Sequence, residues 1–178
     1  MSSYQTSNIF KELLLDLKVN GWNNRSWITA MSIMLFCPAM HLLFIYRLRY
    51  RAFEIPLLGK TISRFLGLIS YWISSCQISP RAILHPGISF PHPLGIVIGR
   101  EVVVHAGCQI YQHVTLGEGA DGKFPIIGEA TCIYSGAKIV GGISIGSESI
   151  IGANAVVVKG FDCKSVIAGV PAKLLRKL

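Results

Sequence analysis

The 178-residue chain is 51% hydrophobic and carries a formal net charge of +8. That apolar share supports a real core in one large domain or a modest pair, and the basic balance points to an anionic partner: a nucleotide-bearing cofactor, a membrane surface or an acidic glycan. Nucleic acid is set aside, because the chain shows no helix-turn-helix, zinc-finger or aromatic RNA-binding motif, and the odd, widely spaced cysteines Cys37, Cys76, Cys108, Cys132 and Cys163, with no CxxC pair, exclude a disulfide framework and read as buried thiols of a cytoplasmic protein.

The mostly polar residues 1–8, followed by Lys11, do not have the form of a signal peptide. Residues 9–21 place Ile9, Phe10, Leu13, Leu14 and Leu17 on one helical face and end at Gly21. Residues 26–53 predict one or two apolar helices, broken near Cys37-Pro38. Within them, residues 27–46 contain no Asp, Glu, Lys or Arg, a length compatible with a bilayer span. Pro38, His41, Ser32 and Thr29 dilute the run, which favours a buried helical hairpin. The alternative is a helix lying on a membrane, helped by Arg47, Arg49 and Arg51 just beyond it. Residues 58–75 predict a further helix, so the chain opens with an α-helical cap over 1–75.

From 76 to 160 the texture changes. An apolar residue recurs every six positions: Ile78, Leu84 and Phe90, then Ile98, Val104, Ile110 and Leu116, then Ile127 through Val157. A six-residue period fits neither a helix nor an alternating strand and marks a parallel β-helix. Each hexad is a short strand plus a turn, three hexads close a triangular coil, and the repeat residue points inward. Two insertions interrupt the step, FPHPLG after Ser89 and GEGADGKFP after Leu116. Extra residues must leave the coil at a corner, where such loops build binding faces. If neither loop shifts the register, Phe90, Ile110, Ile133 and Ile151 stack, and His92, Gln112, Ser135 and Ala153 form a column beside His113. Residues 161–178 predict a short strand, a turn and a C-terminal helix.

Of the five histidines, His92 sits between two prolines that fix its backbone. An imidazole held this way suits a general base near neutral pH; a polar loop residue without a task is the alternative. His113 lies on a coil side, and His85 and His105 follow inward positions where corner packing is expected. The spacing offers no convergent zinc-ligand set, so no metal is expected.

The stretch HPLGIVIGREVVVHAGCQIYQHVTLGEG, then SGAKIVGGISIGSESIIGANAVVVKG and AGVPAK, resembles the hexapeptide-repeat acyltransferases. It looks most like their serine acetyltransferase branch and polysaccharide-modifying relatives such as the colanic acid acetyltransferases. The resemblance implies a mainly β fold, a left-handed parallel β-helix behind the helical cap, a homotrimer with sites in clefts between subunits, and acetyl-CoA as donor for direct transfer to a hydroxyl. His92 matches the family's base, with His113 as helper, and coil backbone N–H groups would hold the oxyanion. Ser135, Gly136, Ala153, Val158, Lys159 and Arg176 match CoA-contacting positions, the two cations facing phosphates. Gln77, Gln112 and Lys123 are the expected substrate-binding residues. Two departures stand out. Gln77 occupies the place of the serine acetyltransferases' Asp, and Lys123-Phe124 the place of their loop Arg-His pair. Both argue against free serine and favour an O-acetyltransferase acting on a sugar hydroxyl of a capsule, exopolysaccharide or O-antigen, at the inner membrane face. A serine O-acetyltransferase and a non-catalytic trimeric scaffold are the alternatives.

Overall fold

The computed structural model describes residues 8–22 and 26–178, so the opening residues of the signal-peptide reading lie largely outside the described residues. Four helices lead: α1 (Ile9–Val19), α2 (Trp27–Phe36), α3 (Pro38–Phe53) and α4 (Gly59–Ser74). The Asn8 and Ser26 side chains accept from Phe10 and Ile28 N–H at the starts of α1 and α2. Cys37-Pro38 breaks the apolar run as expected, and α2 and α3 meet at 82°. Among the described residues no single helix is long and apolar enough to cross a membrane.

A parallel β-helix follows. The first face stacks Gln77–Ile78, Val97–Ile98, Thr115–Gly117, Lys138–Val140 and Val156–Val157. The second stacks Ile83–Leu84, Val103–Val104, Ile126–Ile127 and Ser144–Ile145, and the third Gln109–Ile110, Cys132–Ile133, Ile150–Ile151 and Ser165–Ala168. The repeat residues from Ile78 to Val157 are all at most 2% exposed. A second inward column, two residues earlier in each hexad, escaped the sequence reading: Cys76, Ala82, Ile88, Ile96, Val102, Cys108, Val114, Ala137 and Ala155 are buried too. Its small members and its hydroxyls, Thr131 and Ser149, hide the period; those hydroxyls donate to Gly146 and Asp162 carbonyls at 3.3 and 3.4 Å.

Three expectations are corrected. The tail is not a helix: Lys173–Lys177 turns back antiparallel on Ser165–Ala168, closing the last edge. Phe10 does not join the buried face of α1, being 73% exposed; that face carries Leu13 and Leu17 with Glu12 and Asp16. The arginines of α3 do not form a basic surface. Arg47 Nε lies 3.2 Å from Asp16 Oδ2 and Arg51 Nη2 3.0 Å from Glu12 Oε2, while Arg49 Nη1 donates to the Ile78 carbonyl at 2.8 Å. Arg47 also donates to the Leu84 and His85 carbonyls, and Asp16 accepts from Gly87 N–H at 2.7 Å. This buried pair fastens α1 and α3 to the first coil, whose edge would otherwise leave those carbonyls unmet.

Candidate active site

Phe90 closes the first coil from inside, and Pro91-His92-Pro93 then leaves it. Leu94 N–H donates to the His92 carbonyl at 2.8 Å, and His113 N–H donates to the Leu94 carbonyl at 2.9 Å, which returns the chain to register. The predicted stack of Phe90, Ile110, Ile133 and Ile151 holds: Ser89 bridges Gln109, and Ile110 pairs with Ile133, which pairs with Ile151. His92 itself is not in the column assigned to it. Gly136 and Asn154 N–H donate to the Gln112 and Ser135 carbonyls, so the column reads Leu94, Gln112, Ser135, Ala153. The inserted residues bulge outward and carry His92 off the coil. It is exposed, with its ring 6.2 Å from that of Tyr111, which lies 5.2 Å from Tyr134.

His113 turns the same corner one coil on, with φ of 59°. Its ring covers Gly95, where a Cβ would lie 2.5 Å from Nδ1, so the loop return needs glycine there. Lys138 Nζ donates to the His113 carbonyl at 2.5 Å. Beside it, Gln112 Oε1 is buried with no hydrogen-bond partner. Ser135, Gly136 and Ala153 continue that corner, and a Cβ on Gly136 would strike Asn154 Oδ1. The remaining candidates lie apart from these. Val158 and Lys159 follow the last strand of the first face, with Lys159 Nζ 5.5 Å from the Phe161 ring centroid, and Arg176 is exposed on the closing strand, paired with Val166.

Gln77 occupies a different setting. It is exposed on the floor of a cleft of about 740 Å³ between the α3–α4 pair and the first face, lined also by Arg49, Arg64, Tyr71, Ser79 and Val97. Val97 opens the strand that follows the His92 loop, one residue beyond it. Two guanidinium groups face this cleft, and no carboxylate lines it. The sequence reading missed the helical contribution. The available signal was Arg64, the single charged residue of the otherwise uncharged stretch 61–75. Lys123 lies on the exposed second insertion, whose Phe124 ring covers Gly99, a further lining residue of the same cleft. Both departures noted in the sequence thus border one space. Away from it, the His85 and His105 rings stack at 4.8 Å, the corner packing expected of them.

No family model matches the chain. It is 33% identical over 150 residues to the serine acetyltransferase of Helicobacter pylori, an alignment covering 82% of this chain and 85% of that one. The chain belongs to the serine acetyltransferase family. It is an acetyltransferase by that membership. The serine acetyltransferase of Synechococcus elongatus is 28% identical across 94% of this chain and 69% of its own, and that of Mycobacterium tuberculosis 33% identical across 83% and 65%. The chain therefore spans about two thirds of those two relatives. Among solved structures, the serine acetyltransferase of Brucella abortus superposes with a TM-score of 0.84 at 29% identity, covering 94% of this chain and 69% of that one. The Neisseria gonorrhoeae enzyme in complex with serine gives the same TM-score, identity and coverages. A further serine acetyltransferase, solved with CoA, gives 0.83 at 28%, covering 93% and 69%. These findings correct the expectation of a sugar acceptor. That reading rested on Gln77 in place of the family's Asp and on the loss of its loop Arg-His pair; two arginines, Arg49 and Arg64, nevertheless line the Gln77 cleft from the helices.

Proposed function

We propose that this protein transfers the acetyl group of acetyl-CoA to the hydroxyl of L-serine. The observation that carries the reading is the match to a serine acetyltransferase over 85% of that relative's length, with 33% of residues identical. The His92 imidazole takes the proton of the serine hydroxyl as its oxygen attacks the thioester carbonyl. The tetrahedral intermediate collapses with cleavage of the C–S bond, and the departing CoA thiolate recovers the proton from the imidazolium. Exposure of His92 on a proline-braced loop supports that role, since the base must meet a substrate arriving from outside the coil. Ser135, Gly136 and Ala153 offer a corner of small residues for the pantetheine arm, and Val158, Lys159 and Arg176 its nucleotide end. Their separation within one chain fits a homotrimer in which neighbouring subunits share each site.

The test is thiol release from acetyl-CoA. Turnover with L-serine is expected, and no release above hydrolysis with serine would end the reading. The non-catalytic scaffold is separated by His92→Ala, which would then change no acetyl transfer. A membrane contact for the helical cap keeps one supporting observation, the exposed apolar side chains of α2 and α4, and loses the other, the arginine cluster. Flotation with anionic liposomes tests it: protein left entirely at the bottom of the gradient removes it.

A further inference from the structure

The acceptor of the proposed reaction carries a carboxylate, and a cleft that takes it must supply a cation. Most cations of the β-helix are already engaged. Arg81 pairs with Glu101, Arg100 with Glu118, Lys164 with Glu148 and Lys177 with Asp162. Lys138 holds the His113 carbonyl, and Lys159 lies over Phe161. In the α3–α4 cleft, Arg49 donates to the Ser63 and Ile78 carbonyls at 3.0 and 2.8 Å, which fixes it in the wall without neutralising its charge. Arg64 is different. It is exposed one turn along α4 from Lys60, lines the cleft with Tyr71, Gln77 and Ser79, and has no ion pair or hydrogen bond among the described residues. A guanidinium beside a second, uncompensated guanidinium, with no acid in the lining, is an anion site in want of its anion.

We propose that this cleft receives the carboxylate of the acceptor and that Arg64 anchors it, so that α4 sets acceptor choice. The proposal rests on the serine acetyltransferase reading. Gln77 and Ser79 supply the floor, and the first-face strand that carries Val97 joins this floor to the His92 loop. Of the loop pair that stands in place of the family's Arg-His, Lys123 stays on the exposed insertion outside the cleft lining, and the Phe124 ring covers Gly99 at the edge of the same cleft and makes that edge apolar. The cations that line this cleft, Arg49 and Arg64, both come from the helical cap. The cleft, at about 740 Å³, also has room for the thioester end of the donor.

The experiment compares L-serine with L-serine amide, which keeps the hydroxyl and the ammonium and lacks the carboxylate, in the full chain and in Arg64→Ala and Arg64→Lys. For Arg64→Ala the KM for L-serine is expected to rise about 10- to 100-fold, the loss of one charge-assisted hydrogen-bonded pair. The kcat, the KM for acetyl-CoA and the turnover of the amide are expected to change little, so the preference for serine over its amide collapses. Arg64→Lys is expected to recover part of it, and matching circular dichroism and melting curves keep a folding defect apart. An unchanged serine KM and an unchanged preference in Arg64→Ala would overturn the anchor while leaving the serine reading intact. If the unsubstituted protein neither acetylates L-serine nor binds it in calorimetric titration, both fall together.

Discussion

His92 and Arg47 show two ways a polar residue is held. The first is exposed and fixed by backbone: prolines on either side and the Leu94 N–H on its carbonyl. Its replacement by alanine is expected to lower kcat about 10²- to 10⁴-fold, read by thiol release, with the fold unchanged by circular dichroism. Arg47 is buried against Asp16, and Arg47→Ala strands a carboxylate left with the backbone N–H groups of Gly87 and Ile88 and no cation. That change is expected to cost about 3–5 kcal/mol in urea unfolding. His85 supplies a pH dependence. Burial first, then the charges of His105 and Arg47, push its pKa below the ordinary histidine value, against an opposing pull from Glu129. The folded state therefore favours neutral His85, and the unfolded chain takes up the proton first as pH falls. Its stabilising contribution is complete above the unfolded histidine value of about 6.5 and is lost as pH falls through the folded value. Melting curves between pH 7.5 and pH 5 should show a smaller drop for His85→Asn than for the unsubstituted protein. His92 was legible as a residue from its prolines, but its coil position was not, because sequence does not say which residues of an insertion bulge.

At the scale of the element, α4 is the instructive case. Its sequence predicts a helix, and the structure gives one over Gly59–Ser74. Its orientation is the reverse of what an apolar stripe suggests. Gly59, Ser63, Ser70 and Ser74 are buried, while Phe65, Leu68, Trp72 and Ile73 are exposed. Small residues let α3 and α4 approach closely, and Arg49 reaches across Gly67 to the first coil. A Cβ on Gly59 would lie 2.0 Å from the Ala52 carbonyl oxygen, a backbone atom that cannot swing aside. Gly59→Ala is expected to destabilise by about 1–3 kcal/mol and to open the cleft that holds Arg64, measured as a lower melting midpoint together with a higher serine KM. The β-helix behaves oppositely: its hexads were readable almost residue by residue, because every coil repeats the same inward position. Its second inward column was not, since alanine, cysteine, serine and threonine there break the hydrophobic signal.

For the whole molecule, large apolar groups remain uncovered on one chain, among them Trp27 at 71%, Phe36 at 78% and Trp72 at 84% exposed. Isolated surface apolar residues are ordinary, but a helical cap this rich in them argues for burial in an assembly. Light scattering after gel filtration is expected to give three times the 19.4 kDa chain mass, and a monomer at working concentration would exclude sites shared between subunits.

The sequence alone determined the β-helix, the helical cap, the break at Cys37-Pro38 and the acetyltransferase resemblance, because periodicity, proline and motif spacing are local properties. Only the tertiary structure decided that the α3 arginines turn inward, that α4 shows its apolar side outward, that the tail is a hairpin, and that Arg64 faces the Gln77 cleft. Each of these depends on what packs against a residue from far along the chain, and charge or hydropathy read in order along a sequence carries no record of that neighbour.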